Sequence, residues 1–308
     1  MKPRRHIPDS TYLVTRRCLE GVYRLVPDGK VNAILLYCLL YASQKHGIEL
    51  HGFCFMSNHF HLVLTAPRAQ LGDFMHWLDL CTSKCLNCLY GRRGAIWELG
   101  SYSSQELHRK EDIVSKLAYV ACNPVQAALV KRPGQWPGNI SLPRHFLEGY
   151  DFTATRPKVF FRQAEDGLPR SVSLALTVPR AFRSRGEFRS LLEEAIRRRS
   201  GDIHNDLLRT KRKYVGKTKL RMDPNHRPGN PSIKRDRQPY IACEDRVLRK
   251  ELIEEYQLFW SEHRRARQLF REGKRGVLFP HGTYWWRVQG GVRCRRGPPG
   301  CGAMFDSG

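Results

Sequence analysis

Apolar and polar positions alternate along His59-Phe60-His61-Leu62-Val63-Leu64-Thr65, directly after Met56-Ser57-Asn58. A period of two marks a half-buried β-strand. Residues i and i+2 share a face, so Phe60, Leu62 and Leu64 point into a core while His59 and His61 stand together on the other side. Ile48 to Phe55 reads as the preceding strand, with Met56-Ser57-Asn58 as the hairpin turn. Tyr12-Leu13-Val14-Thr15 is another short strand, running into Arg16-Arg17. After the turn Pro27-Asp28-Gly29-Lys30, apolar residues at Ile34, Leu35, Cys38, Leu39 and Ala42 predict a helix over 31–45, closed by Gly47. A second helix is predicted over 71–90, with Phe74, Leu78, Cys81, Cys85 and Cys88 on one side. Residues 91–104 read as loop with a strand around Ala95-Ile96-Trp97. Residues 106–120 read as another long helix, and 125–130 as a short one beyond Asn123-Pro124.

Strand, helix, strand, strand, helix is the order of a ferredoxin-like α+β layer, an antiparallel sheet with helices on one face. The Pro/Gly-rich stretch from Lys131 to Pro143 reads as a domain exit. Two parts follow: a domain over 1–148 and a basic, mainly helical extension over 149–308. In the extension, helices are predicted near 186–199 and over 244–273, with an aromatic segment at 279–288. The basic, Pro/Asn-rich stretch 211–240 and the tail 297–308 are expected to be poorly ordered.

Charge changes the picture. Lys and Arg number 53 against 29 Asp and Glu, a formal net charge of +24, of which +17 lies in residues 151–308. Self-repulsion on that scale points to a polyanionic partner, with nucleic acid ahead of an acidic membrane surface. The most apolar run, Ala33 to Ala42, is too short to span a bilayer. The start Met1-Lys2-Pro3-Arg4-Arg5-His6 is not that of a signal peptide, and the ten cysteines lack the regular spacing of a secreted framework. A cytoplasmic location is the expectation.

Two imidazoles on one strand face make half of a metal site. Tyr119 and Asn123 stand four residues apart, a spacing that shares a helix face. Pro124 disfavours the helical conformation at Asn123, so Asn123 either ends one helix or caps the next. Cys81, Cys85 and Cys88, with Cys294 and Cys301 as partners, could hold zinc; the same spacing is also a buried helix stripe.

In these motifs the chain resembles the REP-associated tyrosine transposases, a branch of the single-tyrosine transposases. His59-Phe60-His61 matches their HUH motif, and Tyr119-Val120-Ala121-Cys122-Asn123-Pro124-Val125 their Tyr-x-x-x-Asn-Pro-Val signature. Residues 12–17, Met56-Ser57-Asn58 and Trp136-Pro137-Gly138 fit as well, so the resemblance covers residues 4–140. Beyond 150 it rests on the basic middle and on Phe279-Pro280-His281-Gly282-Thr283-Tyr284. Leu13 stands where some branches carry histidine, so no role is transferred there. Ala128 stands where glycine is usual, a change expected to matter little.

The resemblance implies an HUH nuclease fold and a DNA strand transferase. Tyr119 would be the nucleophile, leaving a 5′-phosphotyrosine and a free 3′-hydroxyl. His59, His61 and the amide oxygen of Asn123 would hold Mg²⁺ or Mn²⁺. The substrate would be single-stranded DNA with REP-like hairpins in a bacterial nucleoid, bound by a monomer in preference to a homodimer. DNA contacts are expected from Arg4, Arg5, Arg16, Arg17, Arg92 and Arg93. Further contacts are expected from Lys211, Arg212, Lys213, Lys217 and Lys219, and from Arg264, Arg265 and Arg267. Two other readings are a nucleic-acid-binding protein that kept the fold and lost the reaction, and a replication initiator or relaxase.

Overall fold

The alternation around His59 builds the central pairing of a four-stranded antiparallel sheet. A computed structural model describes residues 3–100, 102–159, 167–216, 223–227 and 240–297. Strands β1 (Ser10–Arg17), β2 (Glu49–Phe55), β3 (His59–Ala66) and β4 (Ser103–Leu107) lie in the order β2-β3-β1-β4. With helices α1 (Gly29–His46) and α2 (Leu71–Leu89) as the two crossovers, this is the ferredoxin-like arrangement. The register pairs Arg17 with His59, Thr15 with His61 and Leu13 with Val63. These residues share one face, and Val14, Arg16, Phe60 and Leu62 share the other.

Helix α1 starts where the Asp28 carboxylate accepts from the backbone N–H groups of Lys30 and Val31, both at 2.8 Å. It ends at Gly47, whose φ of 62° is the left-handed cap position that glycine suits. Helices α1 and α2 pack together beneath the Phe60 face. There the Trp97 indole stands edge-on to Phe60 and donates to the Asp79 carbonyl of α2. Helix α3 (Lys110–Ala121) instead crosses β2 and β3 on the histidine face and carries α5 (Arg185–Arg209) behind it. Helices therefore cover both faces, because α3 lies outside the ferredoxin-like unit.

The strand expected near Ala95 is only an isolated bridge between Cys18 and Trp97. The true fourth strand is Ser-Ser-Gln-Glu-Leu at 103–107, so the expected helix over 106–120 begins only at Lys110. Its polar residues carry no alternation; pairing with β1 from Thr11–Leu107 to Thr15–Ser103 makes it a strand. Both sheet edges are covered, which removes exposed pairing templates. Residues 139–141 run along β2, with Phe55 N–H on the Asn139 carbonyl and Ser141 N–H on the Phe53 carbonyl. Residues 240–242 bracket Glu106 of β4 in the same way.

The main hydrophobic core continues past residue 148. It includes Phe146, Ala154, Val172, Phe188 and Leu207 together with the sheet residues. The hairpin β5 (Phe152–Thr155) and β6 (Ser171–Leu174) packs on α1. Helix α6 (Arg246–Arg271) ends near a small unit of β7 (Leu278–Phe279), helix α7 (Trp285–Gly290) and β8 (Arg293–Cys294). Residues 211–216 lie along the body, with Val215 and Gly216 N–H groups on the Ala128 and Leu129 carbonyls. Most of the stretch 211–240, including Lys217 and Lys219, and all but residue 297 of the tail lie outside the described residues.

Glu106 ties the C-terminal part to the sheet. It is 2% exposed and meets Arg5 at 3.2 Å, His108 at 3.3 Å and the Tyr256 hydroxyl of α6. Burial pushes its carboxyl up, but hydrogen bonds from His108 and Tyr256 and the charge of Arg5 outweigh this and hold it below the usual range. A lowered carboxyl stabilises the fold above its unfolded pKa and loses that contribution as pH falls through the folded value. Acid unfolding should therefore steepen below about pH 4.3. Glu106→Gln should cost about 3 kcal/mol, because buried Arg5 loses its buried counter-charge and keeps only the exposed Glu255, and should remove the steepening in urea melts run across pH.

Ala128 adopts φ of 57°, a left-handed turn directly after α4 (Asn123–Gln126). The usual glycine there has a steric reason, so alanine is a strained choice. Ala128→Gly should stabilise by about 1 kcal/mol, seen as a higher Tm.

Candidate active site

The β1–β3 register brings the two histidine rings together, with centroids 4.9 Å apart and planes at 80°. His61 Nδ1 lies 2.8 Å from Thr15 Oγ1, its direct partner on β1. His59 Nδ1 lies 2.7 Å from Asn58 Oδ1. The carbonyl oxygen of Asn58 can only accept, so His59 Nδ1 donates and its Nε2 keeps a free lone pair. Asn58 is itself oriented by its amide nitrogen, which donates to the Gly21 carbonyl at 3.1 Å. Oriented imidazoles of this kind are what a metal-binding pair requires.

Helix α3 brings in Tyr119. Gly52 of β2 allows the approach: a Cβ there would lie 2.5 Å from Leu117 Cδ2. Tyr119 Oη is 3.5 Å from His61 Nε2, with ring centroids 5.1 Å apart. The proline conflict at Asn123 is resolved by ending α3 at Ala121 and turning at Cys122 (φ −85°, ψ 2°). Asn123 then opens α4 with Pro124 in the first turn. From that position its side chain comes close enough to His59 and Tyr119 to shift the titration of both. The site thus unites His59, His61, Tyr119 and Asn123.

Burial, reinforced by the charge of Arg17, lowers His59 to about 4, against the Asn123 side chain, which raises it. Burial, then His59 and Arg17, hold His61 well below the ordinary range. Both rings are neutral at pH 7, so their lone pairs are available to a cation. Two imidazole nitrogens and an amide oxygen are donors that suit a divalent ion. Among the described residues no three His, Cys, Asp or Glu side chains cluster as metal ligands. Burial raises the Tyr119 phenol, while the Asn123 side chain and the charges of Arg199 and Arg17 pull it back.

Arg199 is the residue that sequence reasoning missed. It comes from α5, and its guanidinium lies 5.1 Å from the Tyr119 ring centroid. A helix near 186–199 was legible, and Arg197-Arg198-Arg199 showed a basic run. Nothing local set how α5 docks on α3.

The other expected contacts scatter. Arg17 is exposed on the histidine face. Arg5 is taken up by Glu106 and Glu255, and Arg16 by Asp79 at 2.8 Å, both away from Tyr119. Arg4 lies over Tyr102 at 3.7 Å, and Arg92 donates to Asn87. Arg93, Lys211, Arg212, Lys213, Arg264, Arg265 and Arg267 are exposed. Cys81 and Cys85 are buried free thiols, Cys85 facing Cys38 of α1, while the Cys88 thiol donates to the Val159 carbonyl. The three cysteines thus have different neighbours, and Cys301 lies outside the described residues.

Residues 24–120 match the family model described as "Transposase IS200 like". This segment is similar to IS200-like transposases over just under a third of the chain. It contains His59, His61 and Tyr119, and stops just short of Asn123. Eight solved chains resemble the fold. One is a REP-associated tyrosine transposase bound to a REP hairpin, with 16% identity and a TM-score of 0.41 over 53% of this chain and 92% of that one. Another is a candidate transposase from Deinococcus radiodurans R1, with 21% identity and a TM-score of 0.28 over 35% of this chain and 87% of that one. No curated protein matches the chain. Among the described residues, no helix is long and apolar enough to cross a membrane.

Two titrations test these electrostatics. His59 should titrate near 4 by NMR, with folded stability falling as pH drops from about 6.5 toward that value, because the unfolded ring takes up the proton first. Arg199→Gln should move the Tyr119 phenol further up, followed on a ¹³C-labelled tyrosine resonance assigned with Tyr119→Phe. An unmoved phenol would show that Arg199 does not act on it through charge.

Proposed function

We propose that the protein is a transposase, a metal-dependent endonuclease and strand transferase acting on single-stranded DNA with REP-like hairpins. The supporting observation is the convergence of Tyr119 and Asn123, from two helices split by Pro124, on the His59–His61 pair of a strand. When bound by His59, His61 and Asn123, Mg²⁺ or Mn²⁺ would neutralise charge on the scissile phosphate and polarise it.

The chain's own residues do the rest. Tyr119 Oη attacks phosphorus and gives up its proton, the P–O3′ bond breaks, and the 3′ oxygen leaves and is protonated. Burial makes the phenol a reluctant acid; Arg199 and Arg17 offset this and stand where phosphate charge would lie. The 5′-phosphotyrosine keeps the bond energy, so a 3′-hydroxyl can reseal the strand by the reverse attack.

The test is incubation with a labelled hairpin oligonucleotide and Mn²⁺, followed by a denaturing gel. Wild type should give a covalent adduct that Tyr119→Phe abolishes. His59→Ala and His61→Ala should abolish metal-dependent adduct, and Arg199→Gln should slow it by about 100-fold, the loss typical of one charge-stabilising donor. Tight binding with no adduct under any divalent ion would sink the catalytic reading in favour of a DNA-binding protein.

A further inference from the structure

A groove of about 1750 Å³ lies between α2 and the α6–α7 unit. It is on the far side of the sheet from Tyr119: Arg16 and Trp97 line it, and both meet Phe60 on the face opposite the histidines. One wall carries Arg264, Arg267 and Arg271 of α6. Their spacing of three and four residues puts them in one file. All three are exposed, and among the described residues none pairs with a carboxylate. The acidic groups facing the groove are already engaged: Asp79 holds Arg16, and Asp73 holds the Tyr284 hydroxyl.

The groove is also lined by aromatic rings, and the Arg267 guanidinium lies 5.9 Å from the Trp286 ring centroid. Trp286 packs on Phe279 and Phe270 as part of a small core. Trp260 is fixed by an N–H bond to the Pro3 carbonyl. Trp285 has no such role. It is 62% exposed and stands edge-on to Trp286 at 5.2 Å, with one face open to solvent. An indole left in water beside a file of uncompensated guanidiniums is a stacking platform next to a phosphate track. The file rises about 10 Å along the helix, on the order of three phosphates of a stacked strand. An acidic peptide would satisfy the arginines, but it has no use for the indole face.

We propose that this groove binds a second stretch of single-stranded DNA, with a base stacked on Trp285 and phosphates along Arg264, Arg267 and Arg271. Binding there does not require the chemistry at Tyr119. Its use rests on that chemistry: cleavage tethers only the 5′ end, and a second site keeps the freed 3′ strand at high local concentration for resealing.

The test measures full-length protein against a fluorescein-labelled 20-mer of oligo-dT by anisotropy over a range of salt. The triple variant R264Q/R267Q/R271Q should bind at least tenfold more weakly. Its plot of log K against log salt should flatten by about 2, since each lost single-strand phosphate contact removes about 0.7. Trp285→Ala should weaken binding about tenfold with little change of slope, as expected for loss of stacking. All four side chains are exposed, and circular dichroism checks that the variants stay folded. Unchanged affinity and slope in the triple variant would overturn the proposal. So would an equal loss for a 20-bp duplex, which would mark a general cationic face. Tyr119→Phe should bind oligo-dT as wild type does. Oligo-dT binding lost with the arginines, in a protein that forms no adduct with hairpin DNA, would support the groove while removing the Tyr119 reading.

Discussion

The pairing of β1 with β3 is the constraint on which everything else rests. Its register places Thr15 opposite His61 and Arg17 opposite His59. A slip of one residue would turn every side chain of the strand to the other face, burying the histidines under α1 and α2. Two features resist the slip. Phe60, Leu62 and Leu64 are fully buried on the helix-covered face. On the other face, a polar chain fits only this register: Thr11 Oγ1 meets Thr65 Oγ1 at 2.7 Å, and His51 Nε2 meets the same Thr65 oxygen at 2.8 Å. His51 Nδ1 ends the chain on the Thr177 carbonyl. A buried polar chain with every member satisfied disfavours any shift that would break it. The hydrogen bond orienting His61 is therefore a by-product of the pairing that folds the sheet.

Legibility followed the range of the interaction. His59 and His61 could be placed on one face from alternation alone, because strand geometry is local. Helices α1 and α2 showed their apolar faces and, for α1, its Gly47 cap. Ser103–Leu107 was hidden because its strand character comes from pairing with residues nearly a hundred positions away. Asn123 entered only through the family pattern; its geometry depends on a helix break whose angle no local rule supplies. Arg199 lay beyond reach altogether, since its place at Tyr119 is set by the docking of α5 on α3.

The charges of the C-terminal half do more specific work than a net +17 implies. Arg199 lies over the Tyr119 ring on one face of the sheet. Glu106, Arg5 and Tyr256 bind the region to the free edge of β4. Arg264, Arg267 and Arg271 stay exposed on the other face. A +17 half could have spread its cations evenly over a solvated surface. Instead some are consumed in ion pairs that hold the body together, and Arg264, Arg267 and Arg271 line a groove that also exposes Trp285.

Pro124 explains why the site is rigid where it must be. Had α3 run on through residue 123, Asn123 would follow Tyr119 along one helix face, and a rotation of α3 would carry both away from the histidines together. The break at Cys122 assigns them to different helices, with Tyr119 backed by α5 and Asn123 fixed at the first turn of α4. Each is then held by separate packing, with the Asn123 side chain near both His59 and Tyr119. Proline limits Asn123 by removing conformations, which lowers the entropy lost when the amide is aimed at the histidine pair. The residue that looked least compatible with a shared site is the one that fixes its third corner.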